Sequence, residues 1–213
     1  MDTLDAIHQR RSIRKFKDKD TAWSDIIPII EAGQYAPSAG NLQNWKFIVI
    51  RDQKTRHKIA DACHDQDWLK DAPTHIAIVA EPYKAHEFYG ERGETHYTTQ
   101  SCAAVAQNML LAAQNAGLGS CWVGAFEEDK IKDILGFPEK VVCHAIIAVG
   151  QPAESPATPS RKAMHLNVFV DSWGNKGYGD YPKGFKSTAW KEAASQLQTH
   201  INSAAKRIKK PKK

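Results

Sequence analysis

Polar and apolar positions recur along this chain with two periods, and those periods sort it into helices and strands. Asp2 or Thr3 stands where it can cap a short first helix whose Leu4 and Ile7 would face inward. Residues 25–35 carry Ile26, Ile27, Ile29 and Ile30 as the apolar face of a second helix, which Pro28 fits only in its first turn. A strand is expected over residues 45–51, then a surface helix over 53–63 and a link from Trp68 to Pro73. Residues 75–80 are an apolar run of strand length. Residues 98–116 make the strongest helix, with Gly117 placed to end it. That helix is apolar nearly all round and needs cover on several sides, part of it from a second subunit in a domain this small. Strands over 120–125 and 141–149 enclose a short helix over 128–135, which Gly136 closes.

The remaining stretches lack a clean period. Residues 81–97 mix Tyr83, His86, Phe88, Tyr89, Arg92, His96 and Tyr97, and are expected to be irregular. Their aromatics either cover a ligand or fill the gap beneath a loop. Residues 152–159 are proline-rich and read as an extended crossing, and the four glycines of 172–185 mark a loop. Residues 188–208 suggest a polar, weakly amphipathic terminal helix. The chain therefore divides into a main domain over 1–187 and a helix with a basic tail over 188–213.

With 213 residues, 42% apolar and 25% charged, the chain suffices for one substantial core. No apolar run reaches bilayer length and no signal pattern opens the chain, so the expected location is cytoplasmic, without a membrane partner. Cys63, Cys102, Cys121 and Cys143 are widely spaced and read as reduced core residues; neither they nor the nine histidines show metal-ligand spacing. Formal net charge is +5, but Lys206, Arg207, Lys209, Lys210, Lys212 and Lys213 supply much of the excess. Such a tail is a solvated terminus in the ordinary case, and no nucleic-acid partner is expected.

Three constellations offer chemistry. Arg10, Arg11 and Arg14 present planar cationic forks suited to phosphate oxygens, and Ser12 adds a hydroxyl; a solvated basic helix end is the alternative. Residues 36–47, Ala-Pro-Ser-Ala-Gly-Asn-Leu-Gln-Asn-Trp-Lys-Phe, set Ser38, Asn41, Gln43 and Asn44 between a turn and a strand. Those groups suit recognition of a flat, heteroatom-edged ring, and an ordinary polar turn remains open beside that reading. Residues 117–124, Gly-Leu-Gly-Ser-Cys-Trp-Val-Gly, follow a helix and open a strand, which excludes a dinucleotide-binding glycine turn. Arg161 and Lys162 either complete a phosphate site or form a surface pair. No nucleophile signature and no carboxylate pair stands out.

In this order, Arg10-Arg-Ser-Ile-Arg14, the 36–45 run, the helix 106–113, the 117–124 run and Ala148-Val-Gly-Gln-Pro152 resemble the nitroreductase family of FMN flavoproteins. The resemblance spans roughly residues 4–165. It implies an α+β, nitroreductase-like fold: a central, mostly antiparallel sheet of four to five strands flanked by helices, in an intertwined homodimer. FMN would be the cofactor, NADH or NADPH the reductant, and a small nitroaromatic, quinone or enone-like molecule the acceptor in a ping-pong cycle. Arg10, Ser12 and Arg14 would hold the FMN phosphate, with Arg11 close by and Arg161 joining them. Pro37, Ser38, Ala39 and Asn41 would meet the isoalloxazine from the partner, with Gln43 nearby, while Trp122, Val123 and Gly124 run along its other side. No catalytic side chain is required, because the flavin carries the redox chemistry. Two departures stand out: Asn44 replaces the proline many relatives carry before Trp45, and Pro159 stands where a lysine often precedes the matching arginine. A reductive dehalogenase, a flavin-destroying enzyme and a non-catalytic flavin carrier are the alternatives.

Overall fold

Four apolar runs pair into one antiparallel sheet of order β1-β2-β4-β3: β1 (Trp45–Ile50), β2 (Thr74–Ala80), β3 (Gly119–Val123) and β4 (Val142–Gly150). The computed structural model describes residues 1–64, 66–163 and 166–175. β2 is buried along its whole length, so its side chains feed both faces of the sheet. Ile76 and Ile78 pack with Ile26, Ile29, Val105, Met109 and Ile147 beneath α2 (Trp23–Gln34) and α5 (Thr98–Asn115). Ala77 and Val79 pack on the opposite face with Ile59, Leu69, Ile131 and Ile146, beneath α3 (Gln53–Ala62) and α6 (Glu128–Leu135). Each fully buried Ile, Leu or Met contributes about 1.5–3 kcal/mol over its exposed state, so the two cores dominate the stability of this layered α+β unit.

The first unit, Met1–Thr158, holds the sheet and every helix named here. The second begins at Pro159; within its described residues the Phe169 and Trp173 rings lie 4.9 Å apart, and Val170 N–H donates to Asn175 O at 2.9 Å. The expected terminal helix and basic tail lie outside the described residues.

Several expectations need correction. Helix α1 (Thr3–Gln9) is capped by Asp2, whose Oδ1 accepts from Leu4 N–H at 3.2 Å, but it buries Ala6 and turns Leu4 and Ile7 outward, 60% and 46% exposed. An apolar residue held for a partner has the same sequence signature as one held for the core. Helix α2 begins two residues early, at Trp23, so Pro28 lies in its interior and removes the bond that Ser24 O would accept. Ile26 and Ile29 are buried there, whereas Ile27 is 53% exposed. The segment expected to be irregular is helical: α4 (Pro82–Arg92) breaks at Gly90 (φ 60°, ψ −153°) and continues as a π-helical turn over Gly93–Tyr97 into α5. Two changes of helical pitch within sixteen residues erase the simple period that sequence reading depends on.

Candidate functional site

The basic segment leaves α1 and adds itself to the outer edge of β3. Ile13 N–H donates to Ser120 O at 3.0 Å, and Ser12 bridges Ser120 in parallel. Lys17 N–H then donates to Gln151 O, and Ala153 N–H to Lys15 O, each at 2.9 Å. This pairing sets Arg10, Ser12 and Arg14 around one buried thiol, that of Cys121. Burial pushes the Cys121 thiol up, while Arg14, a hydrogen bond from Ser12 and Arg10 oppose that shift. Arg14 also lies over the Trp68 ring, 5.7 Å from its centroid. Glu154 Oε1 accepts from Arg14 N–H at 2.6 Å and Lys15 N–H at 3.0 Å, fixing the turn of the segment and leaving the guanidinium clear of it.

Arg11 is used differently. Its Nη1 donates to His8 O at 2.7 Å and Arg10 O at 2.8 Å, its Nη2 donates to Thr158 Oγ1, and its buried Nε has no partner among the described residues. It closes the C-terminal end of α1. Arg161 belongs to the second unit, where its Nη1 donates to Ser160 O at 3.4 Å.

The amide loop stands at the other edge of the sheet, leading into β1. A 3-10 turn over Ala39–Asn41 contains Gly40 at φ 56° and Asn41 at φ 55°, and Gln43 follows at φ 47°. Non-glycine residues held in this left-handed region store strain that surrounding bonds must offset. Ser38 supplies them: its carbonyl accepts from Asn41 N–H at 3.0 Å and its Oγ from Gln43 N–H at 3.1 Å. Gln43 Nε2 donates to Asn41 O at 3.1 Å and Asn41 Oδ1 at 3.0 Å. The loop is thereby set in shape before any ligand arrives. Asn44, read from sequence as part of the recognition group, is only 3% exposed and is a structural clamp: its Nδ2 donates to Glu81 O at 3.2 Å and Thr98 Oγ1 at 3.0 Å.

Trp122 and Val123 close β3 and Gly124 follows it, with Trp122 38% exposed and Val123 buried. Within one chain they and the basic segment share an edge, whereas the amide loop is three strand spacings away, roughly 14 Å at about 4.8 Å per spacing. β2, β4 and their core side chains fill the space between.

The family model described as the nitroreductase family matches residues 7–66 and 64–151, which takes in the basic segment, the amide loop and β3. The chain belongs to the nitroreductase family. A protein of Archaeoglobus fulgidus, provisionally named NADH dehydrogenase/NAD(P)H nitroreductase, is 34% identical over 155 residues, 71% of this chain and 86% of that one. FMN reductase (NADPH) of Bacillus subtilis is 27% identical over 180-odd residues, namely 184, covering 78% of this chain and 74% of its own. A crystal structure of a nitroreductase family protein from Clostridium novyi NT superposes with a TM-score of 0.67 at 28% identity, over 85% of this chain and all of that one.

In a nitroreductase, this donor set fits an FMN phosphate: two guanidinium groups and a hydroxyl, all near enough to act on the Cys121 thiol, suit a dianion. The contacts that sequence reasoning missed are those of Glu154 and Tyr89. Glu154 lies 140 residues from its Arg14 partner, and Tyr89 sits against Gly40 from a different element of the fold. Neither contact leaves a local motif.

Proposed function

We propose that the protein is an FMN-dependent, NAD(P)H-consuming oxidoreductase that reduces a small nitroaromatic, quinone or enone-like acceptor by a ping-pong cycle. The observation that carries this reading is the pairing of the segment that bears Arg10, Ser12 and Arg14 beside β3, the strand that runs out into Trp122-Val-Gly124. A similar protein named FMN reductase (NADPH) supports the choice of cofactor and reductant. When bound, FMN supplies the redox chemistry, taking a hydride from NAD(P)H and giving it to the acceptor. Arg10 and Arg14 would hold the phosphate by charge-assisted bonds, and Ser12 would add a neutral one. Trp122, Val123 and Gly124 would border the ring system, with backbone N–H of this run reaching toward it. Arg11, just past the end of α1, would support them.

The amide loop of Pro37, Ser38, Ala39, Asn41 and Gln43 would meet the same cofactor from a second copy of the chain. Two observations support a homodimer: the loop and the basic segment occupy opposite edges of one sheet, and α1 and α2 turn Leu4, Ile7 and Ile27 to solvent. Beside them a groove of about 450 Å³ is lined by Ala6, Ala32, Tyr35, Asn108, Leu111 and Ala112.

The test is direct. Purified protein is expected to be yellow, or to become so on incubation with FMN, and NAD(P)H is expected to bleach it anaerobically. Colourless protein that FMN cannot reconstitute would remove the reading.

A further inference from the structure

Tyr89 stands apart among the aromatics of α4. Its ring lies edge-on to Tyr97, centroids 5.5 Å apart at 80°, and Tyr97 is itself held by Arg92, whose guanidinium lies 5.5 Å from the ring centroid and whose Nε donates to Tyr97 Oη at 3.2 Å. Gly93 permits this packing, because a Cβ there would collide with Ala85 O and lie 2.8 Å from Tyr89 Cβ. The segment is fastened at both ends to the amide loop's exit by the side chain of Asn44. The result is a tyrosine aimed at the loop: a Cβ on Gly40 would collide with Tyr89 Oη. Gly40 is thus required twice, by its positive φ and by this close approach.

The hydroxyl that is so carefully positioned has no hydrogen-bond partner among the described residues, and Tyr89 is 41% exposed. Phe88, its neighbour with centroids 6.3 Å apart, is 67% exposed. A fixed, unpaired O–H beside an exposed ring is a site for a planar ligand that carries an oxygen acceptor.

We propose that Tyr89 is a specificity-determining residue: its O–H donates to an oxygen of the acceptor, a nitro or carbonyl oxygen, at the loop around Gly40. This rests on the proposed function, since it sets the acceptor beside the flavin, next to the amide loop. It explains which acceptors are taken. Aromatic molecules with an exposed oxygen gain a bond that an alkyl-substituted ring of the same shape lacks, and the locked Tyr97–Arg92 pair limits the reorganisation needed to make it.

The experiment is equilibrium binding to the oxidised, FMN-loaded protein, read from perturbation of the flavin absorption bands. The probes are nitrobenzene and toluene, alike in outline, of which only nitrobenzene carries an oxygen acceptor. Tyr89→Phe is expected to weaken nitrobenzene about 3- to 10-fold, the loss of one neutral hydrogen bond, with toluene and FMN affinity unchanged. Equal weakening of both probes would assign Tyr89 a merely structural part and overturn the proposal, as would unchanged binding of both. Wild-type protein that takes up no FMN would overturn the proposed function and this inference with it; loaded protein indifferent to Tyr89→Phe overturns only the inference.

Discussion

The side chain of Asn44 donates to Thr98 Oγ1 at 3.0 Å, tying the start of β1 to the start of α5. The same amide donates to Glu81 O, and Glu81 N–H returns a bond to Asn44 O at 2.8 Å. One buried residue therefore closes the entire α4 segment onto the amide loop.

Asn44→Ala is expected to destabilise the fold by about 1–3 kcal/mol, because Glu81 O and Thr98 Oγ1 would lose a buried partner. At about 2–4 °C per kcal/mol for a chain of this size, the melting temperature should fall by several degrees. Hydrogen exchange should rise across residues 81–97 ahead of the β2 and β4 amides. Uniform loss of protection would mean that the clamp is not local.

A second prediction concerns the phosphate. Arg10→Ala and Arg14→Ala each remove a charge-assisted contact of about 1.5–3 kcal/mol, so each is expected to weaken FMN binding about 10- to 100-fold in a fluorescence titration. Arg11→Ala should act otherwise. Its guanidinium is engaged with His8 O, Arg10 O and Thr158, so the variant should lower thermal stability more than it lowers FMN affinity. FMN affinity unchanged in both the Arg10 and Arg14 variants would mean that the phosphate lies elsewhere.

Legibility in the sequence followed the range of the forces. The runs 75–80 and 141–149 became the two interior strands, where covered faces select mostly apolar side chains, and 45–51 became the edge strand β1, apolar but for Lys46 up to Ile50. The helix 128–135 and its closing Gly136 were equally plain, since a cap and a left-handed glycine are local devices. The outward turn of Leu4 and Ile7 was not legible, because hydrophobicity alone does not say which surface does the burying. At the site, the basic segment and the loop were each visible as residue types. The pairing of Ile13 with Ser120, the role of Glu154 and the approach of Tyr89 to Gly40 depend on chain segments brought together only by the fold.

Buried histidine gives the third prediction. His75, in β2, is fully buried; its Nε2–H donates to Leu69 O at 2.9 Å and its Nδ1 has no partner among the described residues. Burial pushes its pKa down from 6.5 to about 4, the Leu69 bond opposing and Arg56 and His57 adding to the fall. Between those values the unfolded chain holds the proton and the folded chain does not. Stability is therefore full above pH 6.5 and is lost as pH falls towards 4, by a total of about 3 kcal/mol. His144 is shifted in the same direction by burial, so a variant is needed to isolate His75. Melting temperatures measured from pH 7.5 to 5 should decline for the wild type and decline less steeply for His75→Gln. Parallel slopes would exclude His75 as a source of the decline.

The last prediction tests the second copy. Leu4 and Ile7 are 60% and 46% exposed on a helix whose only buried residue is Ala6, and Ile27 on α2 is 53% exposed. An isolated subunit has no reason to turn that face to water, whereas an interface burying Leu4 and Ile7 would gain about 1.5–3 kcal/mol from each. Replacing both with Glu removes that gain and sets two carboxylates where an apolar surface would meet them. Light scattering on the eluted protein should report a dimer for the wild type and a monomer for Leu4→Glu/Ile7→Glu. FMN should be lost in the same step, because the amide loop and the basic segment of one chain stand at opposite edges of the sheet and need a partner to face each other. A monomeric variant that keeps its FMN with undiminished affinity would show that one chain holds the cofactor alone, and the loop around Asn41 would then have another use.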